Sequence, residues 1–74
     1  MVAVFKTNIT HPVAANKMIK GLLGLYPDLT ISIDLDDEDR ILRVEGDCFD
    51  IIEICAMIER KHFICIHLPI DFNH

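Results

Sequence analysis

Aromatic residues are scarce in this chain: no tryptophan, one tyrosine and four phenylalanines. That leaves little with which to stack unpaired bases, the usual basis of single-stranded nucleic-acid recognition. Positive charge is also short, seven Lys and Arg against twelve Asp and Glu for a net charge of −5. Such a balance repels phosphate backbones, so nucleic acid is not an expected partner. With three glycines in 74 residues there is no glycine-rich phosphate loop. No apolar run approaches the ~18 residues needed to cross a bilayer. The opening Met1-Val2-Ala3-Val4-Phe5-Lys6 has no basic stretch leading into an apolar core and a small-residue cleavage site, so no secretory signal is read there. The expectation is a cytoplasmic protein with no membrane partner. Three cysteines, Cys48, Cys55 and Cys65, are an odd number without framework spacing, and in a reducing compartment they are expected to remain thiols.

What is present is apolar side chain, 51% of residues, in a chain long enough for one domain spanning 1–74. A domain of this size buries only ~60% of the surface its unfolded form exposes, so each apolar position matters. Val2 to Thr7 reads as a strand with both faces apolar, Ala3 and Phe5 on one and Val2 and Val4 on the other, as in the middle of a sheet. Thr10 or His11 can cap a helix opening at Pro12. Ala15, Met18, Ile19, Leu22 and Leu25 then keep a helical stripe to about Leu25, closed by Gly24 and Pro27. Leu29, Ile31, Ile33 and Leu35 alternate with Thr30, Ser32 and Asp34, the pattern of a strand buried on one face. The turn Asp36-Asp37-Glu38-Asp39 leads into a returning strand from Arg40 to Glu45. Asp47 is the expected cap of a second helix running to about Lys61, with Ile51, Ile54, Cys55 and Ile58 inward. Phe63 to Ile70 reads as a last strand with Ile64, Ile66 and Leu68 toward the helices, and the tail from about residue 70 as frayed.

Two strand-helix-strand units in so short a chain predict an α+β domain, a ferredoxin-like βαββαβ sandwich whose antiparallel sheet has the order 4-1-3-2 and carries both helices on one face. The whole pattern from Val2 to about Leu68 resembles the heavy-metal-associated, copper-chaperone-like domains. Three local pieces carry the likeness: Ile9-Thr10-His11-Pro12-Val13-Ala14, Ile31-Ser32-Ile33-Asp34-Leu35 and Arg43-Val44-Glu45-Gly46-Asp47. Members of that family hold a soft ion such as Cu(I) with Met-x-Cys-x-x-Cys in the first loop, a fit that follows from thiolate softness. Here the methionine position is Ile9, the first cysteine position His11 and the second Ala14. The motif is degenerate, and the resemblance implies the scaffold without its usual ion site.

His11 is the one candidate metal residue at that loop, and an adjoining helix N-terminus favours its neutral, ligating form. Against it stands the need for three or four ligands, with no second one nearby in sequence. Cys65 and His67, two apart on a strand, share one sheet face, placed on the side away from the helices. That is half a metal site or a small thiol beside a surface histidine. Cys55 reads as packing, and Cys48 as a thiol near a helix start with no companion base. The acidic run from Asp34 to Asp39 lacks the glycine and distal glutamate of a calcium loop and reads as a solvated hairpin tip. No catalytic constellation is found, so no catalytic or cofactor-binding residue is assigned and an enzyme is not expected.

Val2, Val4, Ile41, Phe63 and Cys65, beside Lys6 and Arg43, are expected on the outward side of the sheet, where exposed apolar groups mark protein contacts. Helix two adds Ile52, Ala56 and Met57 outside its core stripe. The leading expectation is a non-catalytic interaction module, acting through a protein partner or a homodimer on the open sheet face. Two alternatives are a metal-handling protein with altered ligands, His11 among them, and a small-molecule-sensing regulatory domain that works as a dimer.

Overall fold

The computed structural model describes residues 1–69. The elements run β1 (Val2–Thr7), α1 (Pro12–Leu25), β2 (Thr30–Ile33), β3 (Leu42–Glu45), α2 (Ile51–Arg60) and β4 (Cys65–Leu68). The sheet order is β2-β3-β1-β4, with every neighbouring pair antiparallel. This is the ferredoxin-like βαββαβ topology expected from the sequence. Ala3 and Phe5 of β1 and Leu42 and Val44 of β3 form one buried cluster with Ala15, Met18 and Leu22 of α1 and Ile54 and Ile58 of α2. The helices therefore cover one face of the sheet and leave the other open. Ile9, Leu29 and Phe49 complete this core from the loops.

α1 begins as its sequence dictates. His11 takes an extended conformation, its Nδ1 accepts the Val13 N–H, and Pro12 occupies the first turn, where a missing N–H costs nothing. β1 also keeps its expected bounds.

α2 starts later than expected. Its cap is Asp50, whose side chain accepts the N–H groups of Ile52 and Glu53 at 2.9 and 3.3 Å, and not Asp47. The reason lies in Phe49, which is buried immediately before the cap, while Ile54 is buried at the fourth helical position. That is the spacing of a hydrophobic staple, which fixes where the chain turns into the helix.

The strands are shorter than their hydrophobic patterns. β3 begins at Leu42 because Arg40 has φ 46°, a left-handed conformation outside the extended region of a regular strand. β4 begins at Cys65 because the N–H of Phe63 closes α2, donating to Ile58 O at 3.3 Å, while the N–H of Ile64 goes to Asn8 Oδ1 at 2.8 Å. The expected end of this strand at Ile70 and the expected fraying of the tail fall outside the described residues.

The close of α2 is a two-bond cap: His62 N–H donates to Glu59 O and Phe63 N–H to Ile58 O, the Schellman pattern. His62 has φ 70° at the position where glycine is favoured. A left-handed residue with a Cβ costs about 1–2 kcal/mol. His62→Gly is therefore expected to stabilise the domain by about 0.5–1 kcal/mol, after the entropy cost of glycine, read as a higher urea midpoint. A lower midpoint would mean that the imidazole makes contacts worth more than the strain.

Candidate functional site

Cross-strand partners share a sheet face, so the register assigns each side chain. Phe5, which faces the helices, stands opposite Leu42 and His67, and Thr7 stands opposite Cys65. Cys65 and His67 do share a face, as expected, but it is the helix face. The outward placement of Cys65 is thus corrected, and with it that of Phe63, two residues before it. Val4 stands opposite Arg43 and Leu68, and Lys6 opposite Ile66. Ile66 and Leu68 therefore lie on the open face rather than toward the helices. The cause is pairing: the register against β1 fixes which way β4 faces, overriding the stronger apolar character of its other set.

The open face divides in two. Thr30 and Ser32 of β2 and Arg43 and Glu45 of β3 make its polar half. Val2 and Val4 of β1 with Ile66 and Leu68 of β4 make its apolar half, continued by Ile64 immediately before β4. Ile64, Ile66 and Val2 are 55%, 49% and 38% exposed, whereas Val4 is buried at 2%. Both signs of charge border the patch. Lys6 Nζ lies 3.4 Å from Asp39 Oδ1, and Arg43 bonds Glu45 at 2.9 Å. On the opposite side of the molecule, Ile52 of α2 is exposed, as expected for a position outside the core stripe.

The first loop is occupied with folding. Ile9 is fully buried, and the Nδ1 of His11 accepts the Val13 N–H at 3.1 Å. Among the described residues no three His, Cys, Asp or Glu side chains converge as a metal site. The acidic hairpin is likewise committed to its own turn. Asp34 Oδ1 accepts the N–H groups of Asp36 and Asp37, and Asp37 Oδ1 accepts that of Asp39. These carboxylates hold the backbone in place, as aspartate does in turns.

Cys65 meets a partner that sequence spacing did not indicate. Its Sγ donates a hydrogen bond to Cys55 Sγ across 3.1 Å, joining β4 to α2, and both thiols are half-buried. Burial is the main cause that pushes the Cys65 thiol well above its usual range, helped by the bond to Cys55 and by the nearby Cys55 and Glu59. Cys48 stands apart and exposed. His67 lies against Phe5, with ring centroids 5.3 Å apart.

Tyr26, just past α1, ties the two helices together. Its hydroxyl accepts the Asp50 N–H at 3.2 Å and donates to Glu53 Oε1. In an ordinary capping box the glutamate at the third position would take that N–H itself; here the phenol is inserted between them. The bond to Glu53 is also the main reason the phenol titrates above its ordinary range. The signal for this start, Phe49-Asp50-x-x-Glu53-Ile54, was present in the sequence, but the tyrosine's part in it was not. No helix among the described residues is long and apolar enough to cross a membrane. No family model matches the chain, and comparisons with curated proteins and with solved structures give no match.

Proposed function

We propose that this chain is a non-catalytic interaction module that pairs with a second copy of itself through the open face of its sheet. The observation that carries this reading is the exposure of Ile64, Ile66 and Val2 on the face the helices leave uncovered. Exposed apolar side chains gathered on one face, unlike single scattered ones, mark contact surfaces. A like copy suits the patch because its border carries Lys6 and Arg43 together with Asp39 and Glu45. A two-fold interface must be complementary to itself, which a border of both signs allows. A strongly basic partner would instead suit the chain's net charge of −5 but not this balanced border.

In this reading the scaffold is that of a heavy-metal-associated-like domain whose ligand positions, Ile9, His11 and Ala14, have passed to folding and capping. The module belongs in the cytoplasm, where free thiols such as Cys48, Cys55 and Cys65 persist. The metal-handling alternative has less support, since His11 Nδ1 serves the helix and no other His, Cys, Asp or Glu among the described residues converges on a metal site with it.

Light scattering at millimolar concentration tests the reading. The wild-type chain should give twice its 8.5 kDa mass. Ile66→Asp should weaken the dimer about tenfold or more, as loss of a central apolar contact does, while leaving the circular dichroism spectrum unchanged. A wild-type chain that stays monomeric at that concentration rules the homodimer out.

A further inference from the structure

The two facing thiols are independent of the open sheet face and have no part in its proposed docking. Cys55 sits in the middle of α2 and Cys65 opens β4, ten residues apart in the chain, yet their sulfurs are 3.1 Å apart. We propose that Cys55 and Cys65 form a redox site, closing to a reversible intramolecular disulfide when the domain meets a low-molecular-weight disulfide such as oxidised glutathione. A disulfide needs its sulfurs ~2.05 Å apart, so each sulfur has about half an ångström to travel. Both side chains are half-buried, which leaves a route for a small oxidant.

The surroundings select this product over a bound soft metal ion. A bis-thiolate complex of a monovalent soft ion such as Cu(I) keeps one net negative charge, and here it would do so in a partly buried place beside the Glu59 carboxylate, within a chain of net charge −5. Burying that excess charge without a further compensating partner is unfavourable. A disulfide is neutral and small and avoids that penalty. The exchange proceeds through thiolates. Cys65 donates its S–H to Cys55, so Cys55 is the sulfur whose lone pair is supported. Cys55, giving up its proton, attacks one sulfur of the oxidised glutathione; its S–S bond breaks and the first glutathione leaves with that proton. Cys65 then loses its own proton and attacks Cys55 Sγ, expelling the second glutathione, which takes the proton. Two protein thiols are oxidised and one glutathione disulfide is reduced to two thiols.

The bond would pin β4, the edge strand that carries Ile66, to the helix layer. The test uses the full chain carrying Cys48→Ser, equilibrated in mixtures of oxidised and reduced glutathione. The expected product has lost two hydrogens by intact mass. Trypsin should then release 44–60 joined to 62–74, and dithiothreitol should separate them. The melting temperature should rise on the order of 10 °C, as closing a short loop in a small domain implies. Adding Cys55→Ser or Cys65→Ser should abolish the loss of two hydrogens. The proposal is overturned if the Cys48→Ser chain accumulates a single glutathione adduct without closing, joins to a second chain through these cysteines, or stays reduced in fully oxidised glutathione.

Discussion

Phe5→Ala is expected to destabilise the domain by about 3–5 kcal/mol, the usual range for truncating a buried phenylalanine. Phe5 is fully buried in the second strand from the edge, with Leu42 opposite it on one side and His67 on the other. It therefore joins the two neighbours of β1 to the helices above. The loss would have two parts, the apolar area no longer removed from water and the cavity left where the ring was. In a domain this small a single core rarely supplies more than about 3–5 kcal/mol of net stability, so the variant should be largely unfolded at physiological temperature. Urea unfolding at low temperature measures it: the midpoint falls while the slope stays that of the wild type. A loss below about 1 kcal/mol would mean that Phe5 is not the centre of the core.

The second large effect is expected from Thr7→Val, which keeps the side chain's shape and removes its hydroxyl. Thr7 is the buried polar residue of the core layer, and its Oγ1 does two things. It donates to Arg40 O at 2.7 Å and accepts the N–H of Ile9 at 3.3 Å. Valine would leave a carbonyl and a buried N–H without partners, at a cost of about 2–3 kcal/mol. The Arg40 carbonyl belongs to a residue with φ 46°, so the hydroxyl also helps hold a strained turn in place. Thr7→Ser, which keeps the hydroxyl, should lose less than half as much. If serine and valine prove equally damaging, the methyl group rather than the hydrogen bonds matters, and the reading of Thr7 as a polar clasp fails.

The fold was legible in the sequence because its signals are local. β1 is apolar on both faces, and α1 announces itself by a capping histidine followed by proline and a regular stripe. Strand order then followed from the near-obligatory hand of the crossovers. The face of β4 was not legible, because both alternate sets, Ile64-Ile66-Leu68 and Phe63-Cys65-His67, contain apolar groups. Which set turns inward is decided by pairing with Phe5 and Thr7, sixty residues earlier in the chain. Ile9 and Phe49 were missed as core because isolated apolar residues in loops carry no period. The thiol pair was missed for the same reason as β4: Cys55 was placed inward and Cys65 outward, and a single reversal of the strand brings them together. The exposed apolar patch was anticipated as a surface, but its membership changed with that reversal, Ile66 and Leu68 replacing Phe63 and Cys65.

Tyr26 is the sole tyrosine in a chain without tryptophan, and its hydroxyl is held between the Asp50 N–H and the Glu53 carboxylate. The native ultraviolet emission of this protein therefore arises from one phenol placed at the junction of its two halves. A carboxylate hydrogen-bonded to an excited phenol drains its emission by taking the proton, so the folded chain is expected to emit less than the chain whose helices have parted. The domain carries its own optical gauge of that joint, with no label to attach.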